Sequence, residues 1–433
     1  MGSIMLNLNS EILLSTIANN KYQQNFWQDV RKESGTGGQF MIDLSLRYNP
    51  NRFVPRDGEW SLPWKQGIPD KFKMPSYDPT FNKHFDEVTN ARALEIKSLI
   101  HQGHKFALMY SGGIDSTLAL CALIKNLNKE ELSNIVICAS KHSIVENPYL
   151  WKKFIWGNFK IIDSMTIKYD DLIEQGYRPI TADEGDCIFG TVFGLAFYQH
   201  YDFYASMVSP ESRAKLMLIK DKFDTTHYSE YKDIILKHFA IPKFTKTWFY
   251  DFDPVYDPNF AETWYNKMVK NIETSSVPIH SLHDFWWWMI FNLKYVNCAF
   301  RCSVYLNDRI DIGDAINNWV INWFNTNDYQ RWSMVNNNNG EKIQVMGAAT
   351  YKMAAKRYIY DLDKNDWYFH FKLKISSLGA TVVFAQDVSK LAKDQVPNAR
   401  FGVDKDYRLL TLNEPSVVDY IKHHMANYRI DWQ

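Results

Sequence analysis

The stretch "KFALMYSGGIDSTLALCALIKN", Lys105–Asn126, decides the fold. Phe106–Tyr110 is a short, wholly apolar run, the mark of a strand buried on both faces, as in a parallel sheet. From Asp115 onward the pattern turns helical, with Asp115, Ser116 and Thr117 in the first turn, where capping residues belong. Gly112 and Gly113 stand at the turn between the two, where the backbone must bend tightly and approach something closely. A strand, a glycine turn and a helix N-terminus together make an anion site from backbone N–H groups and the helix dipole. The hydroxyls of Ser111, Ser116 and Thr117 add donors at the same spot, so a phosphate is its natural occupant.

Two common phosphate loops do not fit. No lysine follows Gly113 as G-x-x-x-x-G-K-[ST] requires, and G-x-G-x-x-G is not satisfied. The six residues "SGGIDS", Ser111–Ser116, do resemble the pyrophosphate loop of the N-type ATP pyrophosphatases. That family cleaves ATP between its α and β phosphates and transfers AMP to a substrate oxygen. The resemblance implies an α/β fold of the adenine nucleotide alpha hydrolase type, a doubly wound parallel sheet with a largely helical C-terminal part. It also implies ATP and Mg²⁺ as cofactors, with Ser111, Gly112, Gly113, Asp115, Ser116, Thr117 and Ser140 on the nucleotide.

A second segment, "TADEGDCIFGTVFG" (Thr181–Gly194), places Asp183, Glu184 and Asp186 beside glycines, just ahead of an apolar run. Clustered carboxylates near a triphosphate serve as oxygen ligands for Mg²⁺. The same residues also suit an acidic first helical turn with no metal. "SGGIDST" followed by "DEGDCIFG" resembles the synthetase domain of asparagine synthetase and of the β-lactam and carbapenam synthetases, whose second motif reads G-E-G-x-D-E-x-F-G-G. The resemblance makes Asp115 and Asp186 magnesium ligands and sets Asp183 in the place of the motif's first Glu. Ala182, Glu184 and Cys187 depart from the motif. Further on, "TYKMAAKRYIYDLDKNDWYFHFKLKISSLG" (Thr350–Gly379) is similar to the family's closing pattern. Lys352 and Arg357 then belong to a helix, and either Lys372 or Lys374 approaches the α-phosphate as the catalytic lysine.

The glutaminase half of asparagine synthetase begins with a cysteine directly after the initiator Met. Gly2 and Ser3 stand there, and the first cysteine is Cys121. The expected nitrogen source is therefore free ammonia, a separate glutaminase or carrier partner, or an amine on the substrate, joined to a small-molecule carboxylate.

At 433 residues, two or three domains are expected. The motifs suggest an N-terminal region with a proline-rich connector over 1–84, an ATP pyrophosphatase core over 85–200, and a mostly helical part over 201–433 that completes the substrate site. Six prolines between Pro50 and Pro79 mark the connector, and Ala93, Ile96, Leu99 and Ile100 recur at helical spacing within Phe85–His101. Strands are expected at Asn134–Ser140 and Phe159–Thr166, with helices around Pro148–Trp156 and over "YDDLIEQG", the alternation of a parallel sheet. The run Trp286–Trp288 sits in "HDFWWWMIFNLKYV", apolar nearly all round, which predicts a buried helix.

Composition narrows the function class. Lys+Arg and Asp+Glu are 49 each, so net charge offers no attraction to nucleic acid or membrane, although it leaves room for a local basic patch. The five cysteines, Cys121, Cys138, Cys187, Cys298 and Cys302, are scattered without C-x-x-C, which argues against a disulfide framework or a cysteine zinc site. No leader pattern and no apolar stretch of about 18 residues is visible, so a cytoplasmic location is expected. Two other readings stay open. One is a nucleobase- or tRNA-modifying enzyme of the same superfamily; the other is a non-catalytic ATP- or AMP-binding protein.

Overall fold

The computed structural model describes Arg56 and residues 70–139, 143, 146–164, 167–190, 273–279, 284, 287–300, 306, 309–336 and 352–371. The chain divides into two compact units. One takes Asn82–Gly185 and Asn318–Trp332, together with the described residues of the C-terminal part; the other takes Asp186–Asn317, Ser333–Gly340 and the chain before Asn82.

The first unit is α/β. Helix α1, Phe85–His101, opens where the Glu87 carboxylate accepts the His84 N–H at 2.7 Å. It buries Ala93, Ile96 and Ile100 of the four positions whose spacing marked one helical face, together with Val88, while Leu99 is half-buried. Strand β1, Lys105–Met109, is buried over Phe106, Ala107 and Leu108. Helix α2, Ile114–Asn126, follows after four residues, and β2, Ile135–Ala139, is buried along its whole length. A helical turn at Pro148–Leu150 continues as π-helix over Trp151–Ile155, and leads to β3, Lys160–Asp163. Helix α3, Tyr169–Glu174, precedes β4, Tyr177–Thr181, and the unit's segment ends at Gly185, where helix α4, Gly185–Phe189, begins; α4 belongs to the second unit from Asp186 onward. The last strand, β5, is Ile321–Asn322. Helices α5, Met353–Asp363, and α6, Asp366–Phe371, close the described chain.

Among the described residues five strands pair, all parallel, in the order β3-β2-β1-β4-β5. The chain steps outward from β1 through β2 to β3, then returns to the opposite side of β1 for β4. The direction of winding reverses between β1 and β4, and ligands of open α/β sheets bind outside the carboxyl ends of strands at such a reversal. The order is compatible with a doubly wound sheet.

Strand β4 has no counterpart in the sequence reading. Its "YRPIT" carries an arginine and a proline, and proline is rare inside a sheet because it has no N–H to donate. Pro179 stands opposite Ala107 of β1, while β5 begins to pair only at Ile180. Among the described residues, the strand at Pro179 therefore has a neighbour on one side only, the setting in which a proline is tolerated. The strands at β2 and β3 form one to three residues inside the expected limits, and Ser140 falls outside the described residues.

The second unit packs aromatic side chains. Trp287 and Trp288 are fully buried, as the apolar run predicts, and Trp287 stacks on Phe291 with ring centroids 4.9 Å apart. The helix there is π-wound over Met289–Lys294 before continuing as α-helix over Tyr295–Phe300. Arg56 lies over the Tyr295 ring at 3.9 Å and donates to the carbonyls of Phe72 and Phe291 at 3.0 and 3.2 Å. Trp287 Nε1 donates to Ser333 Oγ, which donates in turn to the Ile188 carbonyl at the end of α4. Cys121, Cys138, Cys187 and Cys298 are buried thiols that form no disulfide, and Cys302 lies outside the described residues. Among the described residues, no helix is long and apolar enough to cross a membrane.

Candidate functional site

The loop after β1 is built as its residues dictate. Gly112 has φ +74, a conformation that favours glycine. A Cβ there would also fall 2.2 Å from the Ser143 carbonyl oxygen and 2.6 Å from Glu146 Cβ, so no side chain fits. The Gly112 carbonyl points inward and accepts Thr117 Oγ1 at 3.3 Å and the Tyr368 hydroxyl, from α6, at 3.4 Å. Ser116 Oγ accepts the Ser111 N–H at 3.2 Å, lies 3.0 Å from Ser111 Oγ and donates to the Gly113 carbonyl at 3.2 Å. Ser111 Oγ also accepts the Gly113 N–H at 3.3 Å. The two serine hydroxyls therefore close the loop on itself, while Ser111 stays exposed.

The second motif arrives at the neighbouring strand end. Asp183 is exposed, whereas Glu184 is fully buried and accepts Asn322 Nδ2, from β5, at 2.6 Å. The same Asn322 amide reaches Thr181 Oγ1 at 3.2 Å. Glu184, one of the departures from the family motif, thus ties the β4 end to β5. Gly185 lies flat against Asp115: a Cβ at this glycine would come within 2.4 Å of Asp115 Cγ and Oδ1. The SGGIDS loop and the Thr181–Gly185 segment are therefore in direct contact, at the reversal point of the sheet.

A third segment meets them. Lys352, the residue before α5, places its ammonium 2.7 Å from Asp115 Oδ1 and 2.5 Å from Oδ2. Its side chain is 2% exposed and that of Asp115 20%. One turn further, Lys356 is also buried, and burial lowers its amine to about 8. At the other end of α5, burial raises the Asp363 carboxyl to about 6, although Lys153 and Lys364 draw it down. Asp363 Oδ1 accepts the Asn365 N–H at 2.9 Å and Oδ2 has no hydrogen bond. The Tyr110 and Tyr368 hydroxyls lie buried in the same neighbourhood, both shifted upward chiefly by burial.

In the second unit, Asp186 stands in the first turn of α4 with Lys294 Nζ 3.7 Å from its Oδ2. Cys187 Sγ lies 3.7 Å from Cys298 Sγ, and burial raises the Cys187 thiol well above its ordinary value, with the neighbouring sulfur adding to the rise.

Of the residues singled out from sequence, Ser111, Gly112, Gly113, Asp115, Ser116 and Thr117 form one loop. Lys372, Lys374 and Ser140 lie outside the described residues. Sequence reasoning placed Lys352 within a helix and gave it no role at Asp115; a buried lysine 237 residues away leaves no local signal. Among the described residues, no three His, Cys, Asp or Glu side chains gather as a metal cage. Mg²⁺ needs no such cage, because one or two carboxylates suffice when waters and phosphates supply the other ligands. Asp115 fits that role, since both of its oxygens already face a cation. No family model matches the chain, and neither curated proteins nor solved structures yield a match.

Proposed function

We propose that the chain is an ATP-dependent, AMP-forming ligase that adenylates a substrate carboxylate, or an amide or carbonyl oxygen, and joins it to ammonia or an amine. One observation carries the reading. The glycine–serine loop and the acidic segment, far apart in sequence, touch through Asp115 and Gly185 at adjacent central strand ends. The finer fold assignment, to the adenine nucleotide alpha hydrolase type, belongs to the same proposal.

On this reading the residues divide the work. Ser111, Gly112, Gly113, Ser116 and Thr117 cradle the β and γ phosphates, with Ser140 on the nucleotide and the first turn of α2 directing its N–H groups at the anion. Thr117 and Tyr368 hold the Gly112 carbonyl inward, which keeps it away from that anion. By the resemblance, Asp115, Asp186 and Asp183 would hold the metal ion. Mg²⁺ when bound supplies charge neutralisation that makes pyrophosphate a better leaving group. A substrate oxygen attacks the α-phosphorus to give an adenylate, and an amine displaces AMP, with Lys372 or Lys374 stabilising the negative charge.

The test is product analysis over a panel of carboxylic acids with ammonia and amines. AMP and pyrophosphate are expected in equal amounts, and stoichiometric ADP refutes the reading. Asp115→Asn and Asp186→Asn should each lower turnover by roughly two orders of magnitude, the usual loss on deleting an electrostatic contact to a transition state. Unchanged turnover in Asp186→Asn, with a normal melting curve, removes the second motif from the metal site.

A further inference from the structure

We propose that Lys352 is a positioning residue of this site: it occupies Asp115 as a built-in counter-ion and surrenders the carboxylate when a divalent cation arrives. The nucleotide in this scheme rests on the ligase reading; the exchange of cations at Asp115 does not.

The geometry supplies three arguments. First, both Asp115 oxygens are in hydrogen-bond contact with the one ammonium. An entering cation must therefore compete with Lys352 for the same lone pairs. Second, Lys352 has the backbone of a residue placed for its side chain. Its φ of 51 and ψ of 49 lie in the left-handed region, which costs a non-glycine residue about 1–2 kcal/mol. Among the described residues only Lys352 and Lys364 share a positive φ without being glycine. Lys364 follows the C-terminus of α5, where a left-handed residue is a common helix stop. Lys352 is at the N-terminus, where extended backbone and a capping Ser, Thr, Asp or Asn are the rule, and it makes no side-chain cap. The side chain goes to Asp115 instead. Third, the carboxylate is fenced in. Gly185 is pressed against Asp115 so closely that even a Cβ would overlap it. Asp115 therefore stays in place and the cation facing it is what changes, leaving the released ammonium beside the triphosphate as that arrives.

The experiment is a Mn²⁺ titration of the full chain without nucleotide, read by electron paramagnetic resonance. Wild type is compared with Lys352→Gly, Lys352→Arg and the double variant Asp115→Asn/Lys352→Gly. Glycine accepts the left-handed backbone, so this substitution removes the ammonium without adding strain. Lys352→Gly should bind Mn²⁺ at least about tenfold more tightly than wild type, a difference of about 1.4 kcal/mol. Lys352→Arg should keep the wild-type affinity, and the double variant should lose the gain. If Lys352→Gly does not fold, Lys352→Gln retains the packing of the stem and carries the same measurement. Equal Mn²⁺ affinity in wild type and a folded Lys352 variant overturns the proposal, and so does a gain that persists in the double variant. A purely structural ion pair would lower the melting temperature with no gain in Mn²⁺ affinity. The two readings fail separately. A Mn²⁺ gain in a protein that never forms AMP upholds the exchange and counts against the ligase, and AMP formation without the gain does the reverse.

Discussion

Two aspartate–lysine pairs, one in each unit, look alike in sequence terms and differ in structure. Asp115 and Lys352 touch through both carboxylate oxygens, and the lysine is almost wholly enclosed. Asp186 and Lys294 approach through one oxygen at 3.7 Å, with side chains 11% and 16% exposed. The first is a charge-assisted hydrogen-bonded contact, whose geometry fixes both partners. The second is beyond hydrogen-bond distance, so its attraction is Coulombic and fixes no geometry. An enclosed, hydrogen-bonded ammonium must be neutralised by something at all times, whereas a pair outside hydrogen-bond distance holds neither partner to one position. The tight pair sits on the loop that the sequence marks for phosphate, and the loose one at the acidic helix start.

Melting curves break or sharpen that contrast, beginning with the largest effect. Asp115→Asn leaves a buried ammonium facing a neutral amide. Loss of one partner from a buried pair costs about 3–5 kcal/mol, and the partial exposure of Asp115 puts this case near the lower limit. Asp186→Asn should cost less than that, because the contact it removes is not a hydrogen bond. For units of this size the expected fall in Tm for Asp115→Asn is roughly 6–12 °C, with a smaller fall for Asp186→Asn. Equal falls would erase the distinction between the pairs. Adding Lys352→Gly to Asp115→Asn should restore most of the lost stability, because the stranded charge leaves with the lysine.

The opposite end of α5 gives the next effect, of different sign. Asp363 titrates at about 6 in the folded protein because burial disfavours its charged form. An unfolded aspartate titrates at about 3.9, so the native state holds the proton more tightly. Its contribution to stability is complete below about pH 4, falls as pH rises toward 6, and is constant above. Asp363→Asn keeps the oxygen that accepts the Asn365 N–H and removes the titration. It should raise stability at pH 7 by on the order of 2 kcal/mol relative to wild type, and leave it nearly unchanged at pH 4. Identical pH profiles for wild type and variant would show that Asp363 is not the group responsible.

Cys187 provides the smallest test. It stands where the resembling family has a glutamate, yet it is enclosed against Cys298. Cys187→Ala should cost about 1 kcal/mol in melting and leave turnover unchanged, since only core packing is lost. A large drop in turnover at unchanged Tm would move Cys187 into the chemistry.

How much of this was legible in the sequence depends on the range of the interaction. Helix α1, strand β1 and helix α2 follow from apolar spacing, and Gly112 from the need for a tight turn, all of them local signals. Strand β4 was hidden because Arg178 and Pro179 contradict strand propensity, and its place beside β1 is a tertiary decision. Strand β5 spans two residues and carries no periodicity at all. At the site, the loop could be read but its counter-ion could not. The left-handed backbone of Lys352 and the burial of its ammonium exist only once α5 has docked. Glu184 looked like a flaw in a motif until Asn322 supplied its partner.

The sheet order also sets a timetable. Strand β4 ends at Thr181, whose β5 partner Asn322 follows 141 residues later. At about 5–20 residues per second, a ribosome needs on the order of 10 s to cover that distance. During this interval the outer edge of β4 carries unpaired peptide groups, and Glu184 awaits the amide that later neutralises its burial. An unpaired edge of this kind invites pairing with other chains. While that interval lasts the nascent chain is open to misassembly along β4, and a chaperone acting then would have to keep that edge covered.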